Sequence, residues 1–188
     1  MIMLSDRTIK NLVADGRLVI EPFEERHLQP ASVDLVLGSA LRVRNGTDVI
    51  DPAAPDEAGT ALIEIEPGGY CLPPGELVLG STIERVGLPD WIVGRVEGKS
   101  SLGRLGLMIH VTAGFIDPGF TGQVTLQLFN VSARPILLRP GMKIAQMSFV
   151  GLDAPAARPY GHPALGSRYQ GQVGPLASPR TSGRPSDP

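Results

Sequence analysis

The densest group of side chains able to bind or react lies in segment 98–104, Gly-Lys-Ser-Ser-Leu-Gly-Arg. Hydroxyls and backbone N–H groups can donate to phosphate oxygens, Lys99 and Arg104 supply positive charge, and glycines let the backbone approach a ligand closely. The spacing is not that of a Walker loop, and a run of this composition is more often a solvated turn. By composition alone the segment is an exposed turn or an anion site, and the turn is the more common case.

Two further stretches carry polar side chains of interest. Asp117 precedes a Pro-Gly pair, where an aspartate commonly caps a turn, so its carboxylate is either functional or structural. Residues 123–130 alternate between apolar and other side chains, which predicts a strand with two distinct faces. One face carries Val124, Leu126 and Leu128, and the other carries Thr125, Gln127 and Phe129. The second face is either a binding face or a solvent-exposed one.

The elements that must position these residues are mostly short strands. One helix is predicted after Ser5 or Asp6, with Ile9, Leu12 and Val13 at helical spacing and Gly16 at its end. Beyond it, 23 glycines and 18 prolines divide aliphatic runs into short pieces, which favours a sandwich or distorted barrel. The predicted strands are 33–37, 41–44, 76–84, 92–97, 106–110, 123–130, 136–138 and 143–150.

Length and composition are those of one globular domain. An apolar share of 42% and a charged share of 19% are ordinary for a folded protein, and 188 residues can bury a real core. We expect one domain over residues 1–175, a disordered tail over 176–188 and a surface loop over 51–60. The net charge of −2 argues against a protein that binds along the phosphates of a nucleic acid.

Cellular location is predicted from the cysteine content and from the apolar runs. The single Cys71 excludes an internal disulfide and is typical of a reducing cytosol. The first ten residues have no apolar run of signal-peptide length, and no stretch has the length needed to cross a bilayer. We therefore expect a cytoplasmic protein with no membrane partner.

Several motifs in a fixed order resemble the trimeric dUTPase and dCTP deaminase superfamily. The start of the chain, with QPASVDLVLG, looks like a dCTP deaminase, and EGKSSLGRLGL is similar to the family's phosphate-binding motif. AGFIDPGFTG is similar to the sugar-binding motif, PGMKIAQMSF to the fourth motif, and RPYGHPALGSRYQGQVGP to the deaminase lid. The Ala113-Gly114 pair resembles the bifunctional branch, which converts dCTP to dUMP.

The resemblance implies a fold, an assembly and a set of ligands. It implies a mainly β, distorted jelly-roll-like barrel with a short N-terminal helix. It also implies a homotrimer with sites between subunits. The substrate would be dCTP or dUTP. Mg²⁺ would accompany the triphosphate and be held through its oxygens, without ligands from protein side chains.

The resemblance also assigns roles to individual residues. Those implied to hold the triphosphate are Lys99, Ser100, Ser101 and Arg104. Asp117 would contact the deoxyribose 3′-hydroxyl, and in dUTPases the matching aspartate orients the attacking water. The remaining nucleotide-binding positions are Val111, Ala113, Thr125, Gln127, Gln146, Tyr160, Arg168 and Gln172. Ser100, Arg104, Asp117 and position 127 form the implied catalytic set. Arg168 stands where relatives commonly carry Lys, which keeps the charge but changes the donor geometry.

Position 127 departs from the family pattern. The family uses a lone glutamate there as a proton shuttle, in a strand reading T-L-E, whereas this chain reads Thr125-Leu126-Gln127. A carboxamide cannot accept and return a proton near pH 7. Three explanations stay open: an engineered inactive variant, a natural relative that keeps only triphosphate cleavage, and a nucleotide-binding protein. We expect a dUMP-forming dCTP deaminase, with a dUTPase or an inactive relative as the alternative.

Other side chains that could react are expected to be structural. Zinc-dependent nucleobase deaminases use an HxE…PCxxC arrangement, which one Cys and three separated His cannot supply, so we expect no zinc. We expect His110 to be a hydrogen-bonded residue on a buried strand, Cys71 to fill the core and Trp91 to pack. Glu97 is a nearby carboxylate that the resemblance treats as structural.

Overall fold

The structure is a computed structural model that describes residues 2–46, 49–50, 59–112 and 114–178. Within these ranges the chain forms two helices and thirteen strands. In chain order they are β1 (Ile2–Met3), α1 (Asp6–Ala14), β2 (Val19–Glu21), β3 (Leu28–Gln29), β4 (Ser32–Arg44), β5 (Thr60–Glu64), β6 (Tyr70–Leu72), β7 (Leu77–Gly87), β8 (Ile92–Gly98), α2 (Ser100–Gly103), β9 (Leu107–Ile109), β10 (Phe115–Ile116), β11 (Thr121–Asn130), β12 (Ile136–Leu138) and β13 (Lys143–Gly151). Single 3-10 turns lie at Glu25–His27 and Pro163–Leu165.

The strands form one large antiparallel sheet that curls into a half-barrel. Its main path runs β10-β8-β13-β4-β7-β11-β9, and four shorter strands pair beside it. β12 and β6 make a separate two-stranded sheet. The mainly β fold expected from the sequence is therefore confirmed.

Helix α1 begins and ends at the predicted signals. Ser5 is the N-cap, and its hydroxyl accepts a hydrogen bond from the Thr8 N–H at 3.4 Å. Ile9 and Leu12 are buried, as their spacing predicts. Gly16 follows the helix with φ +68°, a conformation that a residue without Cβ adopts freely.

The predicted strands are present, with three differences. Segments 33–37 and 41–44 are one strand, β4, whose pairing with β7 is irregular between Leu37 and Leu41. Segment 98–104, whose alternative was an exposed turn, contains the one-turn helix α2. Short strands that the sequence analysis missed are β1, β2, β3, β5, β6 and β10. Of the expected loop 51–60, residues 51–58 lie outside the described part of the chain, and Thr60 already belongs to β5.

One continuous hydrophobic core fills the inside of the curl. Leu35, Leu37, Leu126, Leu128 and Phe149 are among its fully buried side chains. The alternation predicted for residues 123–130 is confirmed, because Val124, Leu126 and Leu128 are buried while the residues between them are half-buried. Beside the core, Trp91 packs as expected and has the Arg17 guanidinium 5.2 Å from its ring centroid.

Two single-residue expectations are wrong. Cys71 is exposed, because Leu72 beside it points into the core and neighbouring residues of a strand point to opposite faces. His110 is half-buried and follows β9 with φ +60°, so it is not on a buried strand. Its backbone N–H donates to the Gln127 carbonyl at 2.8 Å, which fixes the chain where it leaves the strand.

Among the described residues, no helix has the length and apolar character required to cross a membrane. The expected tail over 176–188 is described only as far as Ser178, and its remainder lies outside the described residues.

Candidate functional site

The segment rich in Gly, Ser and cations links β8 to β9. The Lys99 carbonyl accepts hydrogen bonds from the N–H groups of Leu102 and Gly103, both at 3.0 Å, which turns the chain sharply after β8. The hydroxyl-bearing Ser100 and Ser101 are exposed, and Arg104 is exposed at the end of the turn. These donors therefore face outward, as binding an external anion requires.

The far end of this segment is tied to the turn after β11. Gly106 has φ +91°, and a Cβ there would lie 2.6 Å from the Ser132 side chain. The Gly106 carbonyl accepts the Val131 N–H at 2.9 Å. Asn130, fully buried, accepts hydrogen bonds from the Ser132 N–H and hydroxyl through Oδ1 and donates through Nδ2 to two carbonyls. The segment is thus held at both ends.

A groove of about 470 Å³ lies along this segment. Residues that line it come from three elements: the end of β8 with α2, strand β9 with the residues after it, and β13. Those the argument uses are Lys99, Ser100, Ser101, His110, Val111 and Gln146. Hydroxyl, ammonium and amide donors on one open wall make this groove suited to an anionic, oxygen-rich ligand.

A buried carboxylate lies behind the Lys99 side of the groove. Asp34 on β4 is opposite Gln146 of β13, and its side chain is only 3% exposed. The Lys99 ammonium pairs with its Oδ1, and the Lys143 ammonium lies 3.2 Å from its Oδ2. Burial lowers the pKa of nearby His27, and the positive charge of Lys143 lowers it further.

A second cavity, of about 580 Å³, lies beside the turn that follows β10. Asp117, exposed, and the later residues Tyr160 and Arg168 line it. The Tyr160 N–H donates to the Pro118 carbonyl at 2.7 Å, and its ring packs edge-on against Phe120 with centroids 5.7 Å apart. The segment after β13 is therefore fixed against the Asp117 turn.

The outer face of β11 holds the third group of predicted residues. The Gln127 side-chain oxygen accepts a hydrogen bond from the Thr112 hydroxyl at 3.2 Å. The Thr125 hydroxyl donates to the Gly174 carbonyl at 3.4 Å. Gln172 pairs with the same strand, donating from Nε2 to the Gln123 carbonyl at 2.6 Å. This face is thus covered in part by the C-terminal segment.

Comparison with known proteins identifies the family. The sequence model of the dCTP deaminase-like family matches residues 3–152. The chain belongs to this family. Two relatives named "dCTP deaminase, dUMP-forming", from Beutenbergia cavernae and Mycobacterium sp. strain KMS, are each 54% identical over 179 residues. The match covers 94% of this chain, and 93% and 94% of the two relatives respectively.

A solved structure agrees with the family assignment. The 2′-deoxycytidine 5′-triphosphate deaminase from Agrobacterium tumefaciens superposes with a TM-score of 0.62 at 25% identity. The match covers 78% of this chain but 47% of that one, so this chain spans about half the length of that protein. The curled β fold of this chain is therefore shared with a solved dCTP deaminase.

Within this family member, the residues implied by the resemblance lie in three places. The groove has Lys99, Ser100, Ser101, Val111 and Gln146 on its walls, with Arg104 at the end of α2. The second cavity has Asp117, Tyr160 and Arg168, and the outer face of β11 has Thr125, Gln127 and Gln172. Ala113 lies outside the described residues. A single copy of the chain does not gather the described members of this set in one cavity.

Sequence reasoning missed Asp34, Lys143, Thr112 and Gln123. Asp34 and Lys143 lie inside the family-like segments QPASVDLVLG and PGMKIAQMSF. Their places in these segments could have identified them as candidate site residues. Thr112 and Gln123 are recognisable only from their contacts with Gln127 and Gln172. Within the described ranges, no group of three or more His, Cys, Asp or Glu side chains could hold a metal ion.

Proposed function

We propose that this protein is a dCTP deaminase of the dUMP-forming type. Water would replace the amino group at C4 of the cytosine ring, releasing ammonia, and a second water would release diphosphate to leave dUMP. The observation that carries the proposal is the groove with Lys99, Ser100, Ser101 and Gln146 on its walls. It supplies cationic and neutral donors suited to a triphosphate, in a chain whose relatives are named for this reaction.

The roles proposed for the site residues follow their positions. Lys99, Ser100, Ser101 and Arg104 would hold the triphosphate at the groove. Asp117 would contact the deoxyribose 3′-hydroxyl and orient water toward the α-phosphate. The base would lie against Val111, Thr125 and position 127, with Tyr160, Arg168 and Gln172 covering the nucleotide. Domain 1–175 would carry the whole set, with residues 176–188 as an accessory tail.

The separation of these residues favours sites shared between subunits, and the family resemblance makes the proposed assembly a homotrimer. In a cyclic assembly each subunit presents one patch to a neighbour and a different patch to the other neighbour. The groove of one copy and the Asp117 and β11 surfaces of another would then face each other. We therefore propose that dCTP or dUTP binds between copies of the chain. A cytoplasmic location, where deoxynucleotides are made, is part of the same proposal.

Mg²⁺ fits this arrangement as a companion of the substrate. The groove provides hydroxyl, amide and ammonium groups, and the described residues provide no three-ligand cage of their own. When bound, the ion would offset the negative charge of the triphosphate. The chain's own part would be to position those phosphates with Lys99, Ser100 and Ser101.

A second function, hydrolysis of dUTP alone, is favoured by one observation. Gln127 stands where the resemblance places the proton-shuttling glutamate, and its carboxamide cannot move a proton near pH 7. Triphosphate cleavage would rely on Asp117 and does not need that proton transfer. A chain with Asp117 and Gln127 would therefore keep triphosphate cleavage and lose deamination.

A product assay distinguishes the two functions. The full-length protein is incubated with Mg²⁺ and either dCTP or dUTP, and nucleotides, ammonia and diphosphate are separated and quantified. Formation of dUMP and ammonia from dCTP is the result expected for a dUMP-forming deaminase. Formation of dUMP from dUTP with dCTP untouched supports the second function. Asp117→Asn is the control that should abolish diphosphate release, and turnover of neither nucleotide by the wild type contradicts both.

A further inference from the structure

The buried Asp34 carboxylate, with two ammonium groups beside it, is outside the site as described so far. Its side chain is 3% exposed, and the Lys99 and Lys143 ammonium groups each contact one of its two oxygens. The Gln29 amide lies 3.5 Å from the Lys143-facing oxygen. A buried carboxylate requires such compensation, because an unpaired charge in the interior is very costly.

Only one of the two lysines lines the groove. Lys99 lies at the groove wall, whereas Lys143 is on β13 and is absent from the groove lining. One carboxylate against two ammonium groups leaves one positive charge in excess. If Lys143 were absent, Asp34 would neutralise Lys99, and Lys99 would contribute no net charge to the groove wall. Two other carboxylates lie near this cluster: Glu24 is paired with Arg26, and Glu97, opposite Gln146, lies 3.9 Å from the Arg95 guanidinium.

We infer that Asp34 and Lys143 are positioning residues for Lys99 in triphosphate binding. Asp34 fixes the Lys99 ammonium at the groove wall, so less side-chain entropy is lost when phosphate binds. Lys143 balances the Asp34 charge from behind, so the positive charge of Lys99 remains available to the ligand. This inference rests on the proposed function, because it requires the groove to hold a polyphosphate.

Charge-changing variants test the inference through a pattern that a merely structural role does not produce. Lys143→Gln leaves the Asp34–Lys99 pair neutral, so the KM for dCTP or dUTP should rise on the order of tenfold with little change in kcat. Lys143→Arg keeps the charge and should stay near wild type. The double variant Asp34→Asn, Lys143→Gln restores one excess positive charge, so its KM should return toward the wild-type value.

The matched control is Lys10→Gln, which removes the same charge from the surface pair between Lys10 on α1 and Glu25 in the first 3-10 turn, outside the groove lining. It should leave the KM unchanged. Thermal denaturation of every variant shows whether it is folded. If Lys143→Gln binds as wild type does, or if the double variant is as weak as Lys143→Gln, the inference is overturned.

Binding measurements on the full-length protein separate this inference from the proposed function. Calorimetric titration with dCTP, dCMP and inorganic tripolyphosphate, all with Mg²⁺, gives three affinities for each variant. Weakening by Lys143→Gln should be large for dCTP and tripolyphosphate and small for dCMP. If the wild-type protein binds tripolyphosphate but does not bind dCTP, the proposed function is contradicted and the Lys99 inference stands. Binding of neither would overturn both.

Discussion

At the scale of single residues, the proposed function assigns the choice between deamination and dUTP hydrolysis to the side chain at position 127. Gln127 lies half-buried on the outer face of β11, and the Thr112 hydroxyl donates to its side-chain oxygen. The chain therefore already has a hydrogen-bond partner in place for an oxygen at this position. A glutamate would retain that oxygen and gain the ability to take up and return a proton.

Gln127→Glu is therefore expected to increase the rate of dCTP deamination by roughly 10²–10⁴, the range typical of general acid–base help. Hydrolysis of dUTP should change little, because it depends on Asp117. Ammonia release from dCTP, measured under single-turnover conditions, checks the prediction. Gln127→Met is the control and should gain nothing, because it adds no titratable group. Equal ammonia release by wild type and Gln127→Glu would show that another group moves the proton.

At the scale of elements, side chains replace strand hydrogen bonds where β4, β7 and β11 meet. The pairing of β7 with β4 and with β11 is irregular there. The Thr82 hydroxyl accepts the Val124 N–H at 3.0 Å and donates to the Glu84 carbonyl at 2.7 Å. The Glu84 carboxylate, in a residue only 3% exposed, accepts the Val36 N–H at 3.0 Å. These bonds satisfy backbone groups that the irregular ladder leaves without a partner strand.

The buried Glu84 predicts a pH dependence of stability. Burial raises the pKa of this carboxyl above its ordinary value of 4.5. Its contribution to the free energy of unfolding is fully present below that ordinary value and is lost as pH rises through the raised pKa. Glu84→Gln should remove this pH-dependent contribution to the free energy of unfolding. Urea denaturation of both proteins across acidic to neutral pH checks it, and parallel stability curves for the two proteins would contradict it.

Local patterns allowed much of the fold to be predicted, and pairing over long distances explains the rest. Helix α1 and strand β11 carry their own caps and alternation, so each was found from its sequence. Strands β1 and β10 have two residues each and exist because they pair with β13 and β8. The Asp34–Lys99 contact joins residues 65 positions apart, which no local pattern records. Only the order of family-like motifs linked the predicted site residues to one function.

At the scale of the whole molecule, the residues proposed to bind the nucleotide lie on separate surfaces of the chain. The groove and the Asp117 cavity share no lining residue, and Gln127 lines neither. The lid segment reaches the Asp117 turn through Tyr160 and the β11 face through Gln172, so it joins these two surfaces within one subunit. The central claim of the proposed function is that a complete nucleotide site combines these surfaces with the groove of another copy.

Mixing two inactive variants tests this claim most directly. Lys99→Met disables the groove, and Asp117→Asn disables the sugar-side cavity. Each alone should lose diphosphate release from whichever nucleotide the wild type processes. Co-refolded in equal amounts, they should recover roughly a quarter of wild-type activity, because random mixing in a cyclic assembly leaves that share of sites with both groups intact. The same variants refolded separately and then combined are the control. No recovery in co-refolded assemblies of wild-type size would mean that one subunit builds the whole site by itself.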